Sequence, residues 1–419
     1  MTDSPGDAGG VEVHDARGVV VANYGQVFQY YGQASQPLKS VIRSEQFRAL
    51  VDNRLKTFVG REFVFEEIDR ILGGAEGDSG YIVIKGEPGI GKTAVAAALV
   101  IRGYAHHFNI AADNIRTARQ FLEDVCAQLI LKYRLPYDTL PQQAGEDSGF
   151  LSRLLGEAAE AARERGELPV TVVVDALDEA NRTGYRAGVN RLYLPRTLPA
   201  GVFMIVTTRD EDDIQLVVDK QTVIWIRDDD ARNVKDVADY ARGFVARHSG
   251  DLGPRLASAG LDIDTFVQGI TRASEGNFMY LVYVLPDLAS GRLSLDAGHA
   301  VAGLPEGLEG YYLQHWRAMK ASDETLFTTR QRPVLCFLAI SLEPVTVLQL
   351  VEWTQLEPGD IRQVMASWRE FLNADDGAPA RYRLYHRSFA EFLDEQEDLR
   401  WYHDKLASAA LAKIPGFPL

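Results

Sequence analysis

One segment of the chain combines glycines, a lysine and a threonine in a spacing that suits phosphate binding. The sequence GEPGIGKT follows the apolar run YIVIK and precedes AVAAALVIRG, which is typical of a buried helix. Glycines let the backbone curl until successive amides point at phosphate oxygens, and the start of a helix adds positive potential. The pattern G-x-x-x-x-G-K-[ST] between a strand and a helix therefore predicts a P-loop, whereas an ordinary glycine-rich turn would need neither the lysine nor the hydroxyl.

The P-loop interpretation predicts a contact for each residue of the segment. Lys92 is expected to reach the β and γ phosphates of a nucleotide, and the Thr93 hydroxyl is expected to bind Mg²⁺. The predicted nucleotide-binding residues of this segment are Gly86, Glu87, Pro88, Gly89, Ile90, Gly91, Lys92, Thr93 and Ala94.

A second segment, VTVVVDALDEA, places three acids at the end of an apolar strand. Asp175 is the predicted metal ligand, because a carboxylate at this position can hold Mg²⁺ through water. A second acid beyond it can polarise the attacking water. Asp178 and Glu179 are both candidates for this base; we favour Glu179, and the residues alone leave the choice open.

A third apolar strand, VFMIVTTRD, ends in polar residues that would emerge at the same edge of a parallel sheet. Arg209 is expected to sense the γ-phosphate from this position. The alternative is a surface arginine paired with Asp210 or Glu211, and the local sequence does not decide between the two.

Composition and charge narrow the function classes. The 419 residues include 44 Lys and Arg and 59 Asp and Glu, a net charge of −15, which disfavours binding to nucleic acid or to an anionic membrane. The acidic start MTDSPGDAGG is unlike a secretory signal and no run of 18 apolar residues follows, so we expect a cytoplasmic protein. Cys126 and Cys336 lack metal-binding spacing and are expected in the core.

The element pattern predicts an α/β fold with a doubly wound parallel sheet, followed by an all-helical part and a small winged-helix domain. Continuous apolar runs at 170–175, 202–208 and 222–226 are typical of strands buried on both faces. The helix at about 231–248 is expected to bury Val234, Val237, Ala241 and Phe244. The predicted division is a flexible N-terminal segment at 1–40 that serves as a short effector or adaptor, a P-loop NTPase domain with a helical lead-in at 41–228, a helical domain at 229–320, and a winged-helix domain with a C-terminal helix at 321–419.

Taken in order, these motifs resemble the STAND class of P-loop ATPases, in particular its NACHT and NB-ARC-like branch. The segments that carry the resemblance are FVGRE, GEPGIGKT, VVVDALDE, VTTR and YHRSFAEFL. The resemblance implies that Phe58, Val59 and Arg61 form the base pocket and that His386 contacts the β-phosphate of ADP. It also makes Pro305, in LPEGL, a candidate for the pocket wall.

The resemblance implies an ATP/ADP-dependent switch that hydrolyses ATP slowly. ADP and His386 would hold the chain closed, and exchange for ATP would allow opening and self-association for signalling in defence or regulation. Members of this class usually continue into ligand-sensing repeats, so we expect the sensor or effector on another chain or on a C-terminal repeat region outside this sequence.

Two further interpretations stay open. The first is an AAA+-like remodelling ATPase with rapid turnover, and the second is a non-enzymatic transcription regulator or adaptor that uses the winged helix for docking. A GTPase is disfavoured, because the sequence has no N-K-x-D tetrapeptide for reading guanine.

Overall fold

The computed structural model describes residues 19–23, 26–30, 36–74, 78–181, 188–209, 216–295, 303–374 and 379–411, with side chains from residue 37 onward except at positions 112, 370, 409 and 410. Residues 1–18 of the predicted N-terminal segment lie outside these ranges. Asp210 and Glu211, the alternative partners of Arg209, also lie outside them.

Short elements precede the main sheet. The strand-like sequence at 19–32 forms an antiparallel pair, β1 (Val19–Asn23) and β2 (Gln26–Tyr30), and β3 is Gln36–Pro37. The predicted helical lead-in consists of α1 (Leu38–Val41), α2 (Ser44–Leu55) and α3 (Glu62–Leu72). The sequence FVGRE lies at the junction of α2 and α3, as expected.

Five parallel strands form the central sheet. In chain order the elements of this part are β4 (Gly80–Gly86), α4 (Lys92–Val100), β5 (Ala105–Phe108), α5 (Ala118–Tyr133), β6 (Thr139–Leu140), α6 (Ser148–Arg165), β7 (Val170–Asp175), β8 (Val202–Thr208) and β9 (Gln221–Ile226). The sheet order is β5-β7-β8-β4-β9, and β6 pairs with β3 outside it. Because β8 lies between the P-loop strand β4 and the acidic strand β7, its carboxyl end reaches both motifs.

Side chains alternate across the sheet and build a core on each face. Tyr81 and Val83 of β4 pack in the cluster that contains α5 and α6, whereas Ile82 and Ile84 pack in the cluster that contains α2, α3 and α4. This burial on both faces explains the continuous apolar runs of β4, β7 and β8. The predicted doubly wound α/β fold is therefore confirmed. The expectation of burial on both faces is wrong for the run at 222–226, because β9 is an edge strand in which Val223 and Trp225 are 37% and 38% exposed.

Beyond the sheet the chain is mostly helical. The helices are α7 (Ala231–Arg247), α8 (Ser249–Ser258), α9 (Ile263–Ala273), α10 (Phe278–Ser290), α11 (Gly307–Ser322), α12 (Glu324–Leu326), α13 (Arg332–Ile340), α14 (Val347–Thr354), α15 (Pro358–Ser367), α16 (Arg387–Gln396) and α17 (Leu399–Leu411). Three short strands, β10 (Val345–Thr346), β11 (Leu372–Ala374) and β12 (Arg381–Leu384), form an antiparallel sheet with β12 in the middle.

One apolar cluster extends from α7 to α17, with its buried members running from Val237 to Tyr402. In α7, Val237, Ala241 and Phe244 are buried as predicted, but Val234 is 37% exposed, which corrects that prediction. Position 234 lies on the outer edge of the helix face that packs inward. Cys126 and Cys336 are both buried thiols, as expected. Within the described ranges, no helix is long and apolar enough to cross a membrane.

Candidate nucleotide site

The P-loop connects the end of β4 to the start of α4. Gly89 and Gly91 have φ values of 80° and 104°, a left-handed conformation that favours glycine, and α4 begins at Lys92. The local sequence thus produces the predicted strand, loop and helix. The backbone curls as phosphate binding requires, with a helix N-terminus at its end.

Lys92 lies folded over this loop. Its ammonium donates hydrogen bonds to the carbonyl oxygens of Gly86 (2.6 Å) and Glu87 (2.9 Å). Burial lowers the pKa of Lys92 to about 8, so the side chain carries its positive charge at pH 7. The loop therefore presents one ammonium to the cavity beside it.

Asp175 lies at the end of β7 with 1% of its surface exposed. The Thr207 hydroxyl of β8 donates to Asp175 Oδ1 at 2.6 Å, and the Thr93 hydroxyl also hydrogen-bonds to this carboxylate. Burial raises the pKa of Asp175, and both hydroxyls oppose that rise. Oxygen donors of this kind suit Mg²⁺, so Thr93 and Asp175 are the residues that would hold the ion.

The two acids that follow have different surroundings. Asp178 Oδ2 lies 3.0 Å from Arg209 Nε and 3.4 Å from Arg387 Nη1, so two cations neutralise it. Glu179 Oε2 accepts only one backbone hydrogen bond among the described contacts, from the Ala111 N–H at 2.9 Å. Burial raises the pKa of Glu179 to about 7, which places this carboxyl near the working pH of a general base.

Arg209 extends from the end of β8 towards α16. Its Nη1 lies 2.6 and 2.8 Å from the two carboxylate oxygens of Glu391, in addition to its contact with Asp178. Arg387, one turn before Glu391, donates from Nε to the same carboxylate at 3.0 Å. Glu391 was not predicted, although it lies within YHRSFAEFL, the segment that indicated His386.

His386 caps the N-terminus of α16 and lines the same cavity as Lys92. The Ser388 backbone N–H donates to His386 Nδ1 at 3.2 Å, and the Ser388 hydroxyl lies 2.6 Å from that nitrogen. Burial, followed by the charges of Arg54 and Arg209, lowers the pKa of His386 to about 3. The neutral ring therefore carries its proton on Nε2, which is available as a hydrogen-bond donor.

A cavity of about 310 Å³ brings most of these residues together. Of the predicted site residues, those that line it are Phe58, Val59, Arg61, Pro88, Gly89, Gly91, Lys92, Thr93, Ala94, Asp178, Glu179, Arg209 and His386. Gly86, Glu87 and Ile90 belong to the P-loop but are absent from the cavity lining: Gly86 and Ile90 are buried and Glu87 is exposed. Asp175 is also absent from the lining, and it is hydrogen-bonded to Thr93 and Thr207, which line the cavity. Pro305 is placed elsewhere: it does not line the cavity, and its carbonyl accepts a hydrogen bond from the Tyr280 hydroxyl.

Several lining residues were missed by the sequence reasoning. They are Asn53, Arg54, Lys56, Thr57, Ala176, Tyr240, Phe278, Met279, Val282 and Tyr385. Thr207 also lines the cavity, as expected for the polar end of β8. Phe278 and Met279 lie in GNFMYLVYVL, which resembles a segment of the STAND helical domain. That resemblance could have predicted these two residues as part of the site. The residues from α2 and α7 had no such signal, because only folding brings these helices to the P-loop.

The part of the chain that contains the P-loop and the acidic strand end matches a known family. Residues 57–197 match the AAA ATPase domain family. The chain carries a P-loop ATPase domain. Comparison with curated proteins gives no match.

Two solved structures are similar to this chain. One is a STAND protein with a tetratricopeptide repeat sensor from Pyrococcus horikoshii, at 14% identity and a TM-score of 0.40, over 86% of this chain and 46% of that one. The other is a RuvB variant from Thermotoga maritima, at 10% identity and a TM-score of 0.31, over 80% of this chain and 95% of that one. The chain thus spans less than half the length of the STAND protein.

Proposed function

We propose that the chain is an ATP/ADP-dependent switch of the STAND class, with the NACHT and NB-ARC-like order of domains predicted above and a C-terminal winged-helix domain. The proposal rests chiefly on one observation: α16 contacts two of the residues that were predicted to take part in ATP hydrolysis. Glu391 binds the sensor arginine Arg209, and Arg387 binds the acid Asp178. While α16 stays there, Arg209 has two carboxylates as partners and is not free for a γ-phosphate.

The closed arrangement is supported by contacts at other points of the same interface. Arg383 of β12 pairs with Asp113, and the Asn114 side chain donates to Glu343 Oε1 at 2.9 Å. Arg54 of α2 donates to the Tyr385 hydroxyl at 3.0 Å. Release of α16 would therefore break several polar contacts together, as expected of a two-state element.

His386 would act as the nucleotide-dependent part of this closure. The neutral His386 ring lines the same cavity as Lys92, so its Nε2–H would donate to a β-phosphate oxygen of ADP. Replacement of ADP by ATP adds a γ-phosphate near Arg209, whose guanidinium would exchange Glu391 for the phosphate. The differential affinity of the two nucleotides would shift the equilibrium towards the open form, in which subunits self-associate.

Hydrolysis in this proposal is slow and resets the switch. Glu179 accepts a proton from water, the water oxygen bonds to the γ-phosphorus, and the bond to the β–γ bridging oxygen breaks to leave ADP and phosphate. Lys92 neutralises charge on the phosphates. Mg²⁺, held by Thr93 and Asp175, would supply further charge neutralisation.

Nucleotide retention tests the switch. Purified protein is expected to keep ADP through gel filtration and to be monomeric, whereas His386→Ala should lose ADP and associate when ATP is added. His403→Ala, which changes an exposed histidine on α17, is the matched control and should behave as wild type. Unchanged ADP affinity and unchanged oligomeric state in His386→Ala would refute the latch.

The second candidate is a remodelling ATPase of the AAA+ kind, favoured by the AAA family match. Its steady-state turnover would be fast without any trigger and would disappear in Lys92→Ala. Negligible turnover with tightly bound nucleotide would favour the switch. In either case we propose cytoplasmic action, with a sensor or effector supplied by a partner chain, and no use of nucleic acid, given the charge of −15.

A further inference from the structure

Three consecutive P-loop carbonyl groups are bound from outside the loop. Asn277 Nδ2 donates to the Pro88 oxygen at 2.9 Å, and the Met279 N–H donates to the Gly89 oxygen at 3.2 Å. Arg61 Nη2 donates to the Ile90 oxygen at 2.5 Å. A phosphate cradle needs backbone amides that face the ligand, and carbonyls that are held outwards favour that orientation.

Asn277 uses both ends of its side-chain amide. Its Oδ1 accepts from the backbone N–H groups of Met279 (2.9 Å) and Tyr280 (3.4 Å) and so caps α10, which leaves Nδ2 for Pro88. The approach is close: a Cβ atom on Gly89 would lie 2.5 Å from Asn277 Oδ1. Few side chains can do both, because aspartate and serine can cap the helix but offer no amide donor to the loop.

Arg61 makes the third contact from a fixed position. The residue is 2% exposed, its backbone N–H donates to Asp236 Oδ2 at 2.9 Å, and its guanidinium lies 3.6 Å from the same carboxylate of α7. The guanidinium also lies 4.8 Å from the ring centre of Phe278. Burial lowers the pKa of Arg61 to about 10, so it stays charged at pH 7. Helices α7 and α10 thus reach the P-loop together.

We infer that Asn277, Arg61 and Asp236 are positioning residues, which set the phosphate-binding conformation of the P-loop. The helical part of the chain then completes the phosphate site. Asp236 lies more than 140 residues beyond the P-loop in the sequence, and Asn277 lies 189 residues beyond Pro88. The inference rests on nucleotide binding by the ATPase domain and does not require the switch.

The test separates phosphate binding from helix capping. Asn277→Asp retains a cap for α10 but has no donor for Pro88, and Asn277→Ser retains a cap but lacks the longer amide group that reaches Pro88. Each is expected to bind ADP about tenfold more weakly, since one hydrogen bond to the loop is lost. Binding of adenosine, which has no phosphate, should be unchanged. Asp262→Ala removes the cap of α9, which contributes no residue to the cavity lining, and serves as the control.

Calorimetric titration of wild type and variants with ADP and adenosine gives the readings, with the unfolding midpoint measured without nucleotide. Weaker ADP binding with an unchanged adenosine affinity supports the inference. Equal ADP affinity in wild type and both Asn277 variants would overturn it, as would an equal loss for ADP and adenosine, which would indicate a general loss of structure. Absence of ADP binding by the wild-type chain would instead contradict the proposed function.

Discussion

Arg209 and Glu391 form a two-contact ion pair, with Arg209 Nη1 2.6 and 2.8 Å from the two carboxylate oxygens, across 182 residues of sequence. Arg209 is 11% exposed in this pair. The ion pair joins the end of β8, at the phosphate edge of the sheet, to the first turns of α16. The position of the C-terminal part and the chemistry of the ATPase site are therefore linked through one side chain.

Removal of this pair is expected to accelerate nucleotide release. Glu391→Gln keeps the shape of the side chain but removes the charge that holds Arg209 and Arg387, so α16 should detach more readily. We expect ADP to dissociate about tenfold faster, measured by chasing a fluorescent ADP analogue with unlabelled ATP. Asp264→Asn, which disrupts the exposed pair with Arg242, is the control. Equal release rates for the two variants would contradict the role of the pair.

The pH dependence of hydrolysis should report Glu179. A base must be deprotonated to accept a proton from water, and burial raises the pKa of Glu179 to about 7. The hydrolysis rate is therefore expected to rise as the pH increases through about 7 and to level off above it. Glu179→Gln should lower the rate by about 10² to 10⁴ and abolish this rise in a phosphate-release assay.

Asp178→Asn provides the comparison, because the Asp178 carboxylate is paired with Arg209 and Arg387. Its hydrolysis should keep the rise near pH 7. Loss of the rise in Asp178→Asn, with retention in Glu179→Gln, would assign the base to Asp178.

Thr207 should stabilise the fold through Asp175. Its hydroxyl donates to Asp175 and accepts from the Ala176 N–H at 2.9 Å, so Thr207→Val leaves the buried Asp175 carboxylate and the part-buried Ala176 N–H without this partner. We expect the free energy of unfolding to fall by about 1 to 3 kcal/mol, measured by denaturant titration.

The matched control lies in the neighbouring strand β7. The Thr171 hydroxyl is buried and has no hydrogen-bond partner in the described part of the chain. Thr171→Val should therefore leave the free energy of unfolding unchanged or raise it. Equal destabilisation by both substitutions would show that the Thr207 contacts are not the cause.

Phe278, rather than Pro305, should matter for the nucleotide base. Phe278 lines the cavity beside Tyr240, with ring centres 5.6 Å apart, whereas Pro305 lies outside the cavity lining. Phe278→Ala is expected to weaken adenosine binding about tenfold, and Pro305→Ala should not affect it. Titration with adenosine distinguishes the two. A larger loss in Pro305→Ala would restore the sequence-based prediction.

Much of the phosphate side of the site was predictable because its residues lie in short, local patterns. A strand, a glycine loop and a helix form from neighbouring residues, and the carboxyl ends of parallel strands share one edge of a sheet. Asp175 and Arg209 could be placed at that edge from their positions at strand ends. Arg61 was predicted for the base pocket, and it does line the cavity, but its contacts with Ile90 and Asp236 were not predicted.

The sequence by itself determined the P-loop, the acidic strand end and the ATPase class, because each depends on residues close together in the chain. Only the tertiary structure decided which acid is neutralised, which carboxylate binds Arg209, and which donors hold the P-loop carbonyls. These contacts join residues up to 209 positions apart. No local pattern encodes them, since they depend on how α7, α10 and α16 pack against the edge of the sheet.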